Sequence, residues 1–236
     1  RARLSLEAPG STFALPLEGT LSGLRVALSV DLGGAFEVDD QVAGIVSAQG
    51  PVLEEAGARV ERDHLDVTGA ESAFRTLRAW LFWARFGVLL AKRPEAFKTS
   101  LADNIRAGQD LTGADVATAY QRLTTLAEKV RVFFESYDVL VLPVSQVPPF
   151  DAAEEYPAAI NGRPQQTYLD WMRSAFLITV TGCPAISVPA GFTREGWPVG
   201  IQIVAAPRRE RRLLEVAHAF EQLTGVGARR PVVEVS

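Results

Sequence analysis

Thr181-Gly-Cys-Pro-Ala-Ile-Ser-Val-Pro-Ala-Gly-Phe192, followed after three residues by Gly196-Trp-Pro-Val-Gly-Ile-Gln-Ile-Val-Ala-Ala-Pro207, is the stretch that decides the fold. Ala185 to Val188 and Val199 to Ala205 are apolar runs of strand length, rich in β-branched residues and bounded by turn formers. Thr193-Arg194-Glu195-Gly196 joins them, with a glycine able to take the positive φ of a tight turn. Pro189 has no N–H for a sheet ladder, so it ends the first strand or sits at a bulge. On residue type alone this is a core β-hairpin with no chemistry of its own.

Upstream, Tyr168 to Val180 reads as a helix delivering the chain to the hairpin. Residues 146–166 are rich in proline and glycine, with an acidic pair at Glu154-Glu155. So long a loop is uncommon in a compact domain without a functional or mobile role, and a lid over a cleft or a solvated excursion both fit. Val139 to Val144 is a continuous apolar run, as in a strand buried on both faces of a mostly parallel sheet. The helix before it has apolar residues at 116, 119, 120, 123, 126, 127, 130, 133, 134 and 137, opened by Thr112 as N-cap with Asp115 in the first turn. Pro94 to Arg106 is a short helix. Glu71 to Leu90 carries Phe74, Leu77, Trp80, Leu81, Phe82, Trp83, Phe86 and Val88 around most of its circumference, which predicts burial on several sides. That load fits packing between the chain's own layers, or a face turned to a cleft or to an absent partner.

Leu24 to Val30 is a strand, and 39–56 has helical spacing, interrupted at Gly50-Pro51 and capped by Gly57. Arg59 to Leu65 alternates as a half-exposed strand. Together these make a βαβ unit with an expected right-handed crossover. Residues 1–22 read as an extended connector, Arg208 to Leu223 as a closing amphipathic helix stopped by Gly225, and 226–236 as a tail. The expected fold class is α/β, a mixed, mostly parallel sheet layered with helices, in one domain over 23–225.

Composition bounds the function. The 236 residues are 47% apolar and 22% charged, with net charge −4 and pI near 5.4. That balance argues against nucleic acid as a main partner. The sequence has no apolar run long enough to span a membrane. Its one cysteine, Cys183, forms no internal disulfide, which fits a reducing cytoplasm. Arginine outnumbers lysine 21 to 3, as codon bias in a GC-rich genome produces. A Ser-His-Asp hydrolase needs a histidine base, and only His64 and His218 are present, with no Gly-x-Ser-x-Gly elbow. Two scattered histidines and one cysteine make no zinc site, and Gly225-Val-Gly227 lacks the third glycine of a dinucleotide fingerprint. No cofactor is expected. Cys183 has no evident base and reads as a small apolar residue near a pocket.

The hairpin sequence resembles the C-terminal signature region of the amidase signature family. Leu24-Arg-Val-Ala27 with Asp31-Leu-Gly-Gly34, Val52-Leu-Glu-Glu-Ala-Gly-Ala-Arg-Val-Glu61, Tyr137-Asp-Val-Leu-Val-Leu-Pro-Val144, Tyr168-Leu-Asp-Trp-Met172 and the final helix stand in the family's order. The resemblance implies an α/β/α sandwich and cleavage of carbon–nitrogen amide bonds. It implies a lysine that takes a proton through a cis-configured serine, a second serine that attacks the carbonyl, and backbone N–H groups that hold the oxyanion.

Both serines lie in a Gly/Ser-rich stretch of the family's N-terminal half, and this sequence has no such stretch. Lys92, Lys98 and Lys129 lie in nothing like the lysine motif, so no catalytic residue is assigned. The expectation is a C-terminal fragment of an amidase, inactive alone, whose partners are the N-terminal half and a small-molecule amide. A first residue that is arginine fits a truncated or processed product. The alternative is a free-standing, non-catalytic binding or regulatory domain. The resemblance turns Tyr168 to Met172, Thr181-Gly182-Cys183 and the 146–166 loop toward substrate, with Trp171, Met172 and Cys183 as lining residues. Members that release ammonia from glutamine carry an acidic residue at the place of Met172, so the resemblance implies an uncharged, hydrophobic amide. The surface left bare by a missing half implies homo-oligomers.

Overall fold

A computed structural model describes residues 8–229; the first seven residues of the expected connector and residues 230–236 of the expected tail lie outside the described residues. Ser11–Ala14 (α1) forms a single helical turn. It is held against the far end of the chain, because Arg211 donates to the carbonyls of Thr12, Leu15 and Pro16.

The βαβ unit forms, with its second strand ending at Glu61 rather than Leu65. Strand β1 (Arg25–Leu28) is followed by α2 (Asp40–Ser47), α3 (Gln49–Glu55) and β2 (Arg59–Glu61), and β2 pairs with β1 in parallel. The helix breaks at Ala48, one turn earlier than the proline. A proline ring clashes with the carbonyl four residues back and offers it no N–H, so the disruption falls on Ser47. Its freed carbonyl accepts from Arg62 Nη2 at 3.2 Å, and Pro51 sits harmlessly in the first turn of α3. Gly57, at φ +88°, closes α3 as a Schellman motif, with Ala58 N–H donating to Leu53 O and Gly57 N–H to Glu54 O.

Three helices come next, α4 (Ala70–Lys92), α5 (Thr99–Arg106) and α6 (Gly113–Ser136). The N-cap of α6 is a reciprocal box between Thr112 and Asp115. Close approach of α5's end to α4 requires Gly108, since a Cβ there would lie 2.1 Å from Ala79 O. The expectation of burial all round α4 holds only for its small residues and Leu90. Ala70, Ala73, Ala79 and Gly87 are buried, whereas Leu81 is 56% and Val88 73% exposed.

Strand β3 (Val139–Pro143) is buried at every position and lies parallel to β1. The 146–166 segment contains a small hairpin, β4 (Ala159–Ile160) and β5 (Arg163–Pro164), turned by Asn161-Gly162 with both φ positive. A 3₁₀ turn (Asp170–Met172) leads into α7 (Arg173–Thr179). The signature hairpin is β6 (Ala185–Phe192) and β7 (Pro198–Ala205), with a bulge between Pro189 and Gly191 where the missing N–H falls. Helix α8 (Glu210–Thr224) ends at Gly225 with φ +61°.

The five-stranded sheet has the order β2-β1-β3-β7-β6. Since β7 runs antiparallel to both β3 and β6, four of the five strands point one way, as expected of a mixed, mostly parallel sheet. The main core surrounds this sheet, and a smaller cluster of Leu90, Ala102 and Ile105 joins α4 to α5.

Candidate functional site

In open α/β sheets, ligands gather beyond the carboxyl ends of the parallel strands. Beyond the end of β3, a buried polar network fixes the segment that leads into α7. Gln146, fully buried, donates through Nε2 to Glu37 O (2.9 Å) and Asp170 O (3.2 Å), and its Oε1 accepts from Ser174 N–H. Ser174 Oγ donates to Val144 O, while Gln202 Nε2 donates to Pro143 O (2.9 Å) and Ser174 O (2.8 Å). Strand β7 thus anchors the start of α7 against β3 through side-chain amides.

A charged cluster holds the same corner from the other side. Asp170 Oδ1 pairs with Arg75 Nη2 at 2.6 Å and Arg173 Nη2 at 2.9 Å. Its Oδ2 accepts from the backbone N–H groups of Gln166 (2.8 Å) and Thr167 (2.7 Å). Glu71 completes the cluster, 2.8 Å from Arg75 Nε and 3.2 Å from Arg173 Nε. Burial pushes the Asp170 pKa upward, but the Thr167 N–H, Arg173 and Arg75 outweigh it and hold the carboxyl below its ordinary value.

Trp171 comes directly after, its ring meeting Phe150 (5.3 Å) and Tyr168 (6.2 Å) edge to face. It lines two cavities. One, of about 560 Å³, opens toward the hairpin between Val144, Phe150, Ser187 and Gly200. The other, of about 400 Å³, opens toward α4 and α5 between Arg78, Lys98 and Tyr168. The indole N–H is buried without a hydrogen-bond partner among the described residues. The 146–166 loop is tied to the rest of the fold at Glu155, Asn161 and Arg163. Asn161 donates to Val38 O (2.7 Å), Arg163 pairs with Glu37 (2.5 Å), and Ser100 hydrogen-bonds Glu155.

Met172 and Cys183 are half-buried and pack on the main core. Neither lines either of the cavities beside Trp171, so the three expected residues do not meet in one cavity. Burial raises the Cys183 pKa, against a hydrogen bond to Thr181 that lowers it, which disfavours the nucleophilic thiolate. Lys129 pairs with Asp66 at 2.7 Å. His64 lines a separate cavity of about 640 Å³ with Asp66, Ser72 and Arg75. His218 is half-buried on α8. No group of three or more His, Cys, Asp or Glu side chains among the described residues is placed to hold a metal.

The Gln146 network and the Asp170 cluster do not stand out in the sequence. Gln202 carries a signal, as a lone amide inside the apolar run Ile201 to Val204. Asn161-Gly162 carries another, as the dipeptide of a type I′ hairpin turn.

Known proteins share this architecture. An aryl acylamidase of the amidase signature family from a bacterium superposes with TM-score 0.77 at 22% identity, over 92% of this chain and 48% of that one. A 6-aminohexanoate cyclic dimer hydrolase superposes with TM-score 0.76 at 23% identity, over 96% of this chain and 50% of that one. Among curated relatives, an acylamidase of Rhodococcus erythropolis is 29% identical over 97% of this chain and 48% of its own length. A glutamyl-tRNA(Gln) amidotransferase subunit of Alkaliphilus metalliredigens is 28% identical over 95% of this chain and 50% of its own length. The chain therefore spans about half the length of the curated relatives it matches. The Amidase family model matches residues 2–214, and the chain belongs to the amidase signature family.

Proposed function

We propose that this chain forms the C-terminal wall of the substrate cleft in an enzyme that hydrolyses small-molecule amides. The lysine and two serines of its catalysis lie in sequence beyond this chain, which is inactive by itself. The observation that carries this reading is the family match over nearly the whole chain, joined to relatives about twice as long.

Trp171 is the lining residue with direct access to cavities, and Met172 and Cys183 support the wall from the core side, becoming lining residues when the cleft is complete. Their apolar character suits an amide whose reacting end is hydrophobic. The exposed face of α4, with Trp80, Leu81, Val88 and Leu89, is the surface that the rest of the enzyme covers. The isolated chain therefore self-associates through it. Cytoplasmic location accords with a lone, unpaired cysteine.

The test is hydrolysis of aryl and aliphatic amides by this chain and by the longer protein containing it. Activity confined to the longer protein is expected. Turnover by this chain alone, abolished by Cys183→Ala, would overturn the reading.

A further inference from the structure

Arg78 is set apart from the other arginines around the Trp171 wall. Arg75 and Arg173 are tied to Glu71 and Asp170. Arg78, half-buried on the same helix as Arg75, has no carboxylate partner among the described residues. Its guanidinium carbon lies 4.2 Å from the Phe82 ring centre and 5.8 Å from that of Phe74. Among the described residues its one side-chain hydrogen bond runs from Nε to Asn104 Oδ1 at 3.4 Å, and the Nη donors have no acceptor there. Burial lowers its pKa, yet a guanidinium stays charged at any pH at which the chain folds. A partly desolvated planar fork with free donors matches the two oxygens of a carboxylate.

The group lines the 400 Å³ cavity, where Trp171, Phe150 and Tyr168 supply ring surfaces and Lys98 a second cation. Glu154 and Glu155 of the loop line the same cavity, and Glu155 is held by the Ser100 hydroxyl. Two acids thus balance two cations, so net charge does not draw an anion in. Recognition rests on the geometry of the fork and on the apolar walls, which select a flat acid over a small inorganic ion.

We propose that Arg78 is a carboxylate-recognition residue, and that this cavity takes the anionic end of an aromatic acid, whose ring packs against Trp171 and Phe150. Taking that ligand as part of a substrate rests on the amide-hydrolase reading above. The substrate is then an amide bearing a carboxylate at the end remote from the bond cleaved, and the expectation of an uncharged amide narrows to its reacting end.

The experiment is equilibrium binding of benzoate and of benzamide, its uncharged counterpart of like shape, to this chain by calorimetry. Benzoate is expected to bind about tenfold more tightly. Arg78→Met abolishes the preference, and Arg78→Lys, which keeps the charge without the fork, retains only part of it. Circular dichroism reports whether each variant folds; if R78M does not, R78K carries the comparison. Equal binding of the two ligands, no benzoate binding at millimolar concentration, or an undiminished preference in a folded variant overturns the proposal. No amide bond is cleaved in this measurement. Benzoate binding with no hydrolysis by the longer protein would sink the reaction and leave the subsite, and the converse would sink the subsite alone.

Discussion

Replacing Asp170 by asparagine separates the charge of this side chain from its shape. Asp170 receives four donors, two arginines on Oδ1 and two backbone N–H groups on Oδ2. Asparagine keeps one acceptor oxygen. If that oxygen stays with Gln166 and Thr167, the new amide NH₂ faces Arg75 and Arg173, and donors confront donors. Each lost hydrogen bond to a charged group is worth about 1.5–3 kcal/mol. The side chain of Asp170 is only 8% exposed, so solvent screens the loss little. Arg75 and Arg173 are 32% and 23% exposed and keep Glu71, which offsets part of the cost. The net destabilisation is about 2–4 kcal/mol, reaching below the about 3–5 kcal/mol for breaking a fully buried ion pair, because the arginines stay partly exposed. Guanidinium chloride unfolding near neutral pH should show a lower midpoint with an unchanged slope.

The same variant makes a pH prediction. The folded carboxyl of Asp170 is held below its ordinary value, so its stabilisation is fully present above the unfolded-state pKa of about 3.9. It is lost as pH falls from there through the folded-state value. Wild-type stability should therefore decline over that acid window more steeply than that of D170N. A neutral-pH loss below about 0.5 kcal/mol, within the scatter of surface substitutions, or identical acid limbs, would refute the reasoning.

Two further predictions rest on other parts of the molecule. Gln202→Leu removes the donor shared by the buried carbonyls of Pro143 and Ser174, and should cost about 1–3 kcal/mol in denaturant unfolding; a loss under about 0.5 kcal/mol, on the same scale, would mean that the amide is dispensable. The exposed apolar residues of α4 should drive self-association, so sedimentation should show oligomers that Leu81→Glu with Val88→Glu dissociates, and a strict monomer at high concentration would count against this.

Legibility from the sequence tracks the range of each interaction. The Thr112–Asp115 box, the Gly57 cap and the Pro189 bulge are fixed within a few residues, and each is read from neighbouring letters. The helix break lies at Ala48 rather than Pro51 because a proline acts on the carbonyl four residues behind it, a rule the letters already contain. The Asp170 cluster differs in kind. Its halves, Glu71 with Arg75 and Asp170 with Arg173, stand at helical spacing and look like ordinary exposed pairs. Only the fold brings Arg75 to Asp170, 95 residues away, and turns two weak surface pairs into one partly buried network. Arg78 is the counterpart, one arginine among twenty-one whose distinction is a half-buried place beside Trp171 with no carboxylate paired to it among the described residues, and that combination leaves no mark in the sequence. The β-hairpin can therefore be named from its own residues, while the wall beside it is assembled by contacts between segments that share no local pattern.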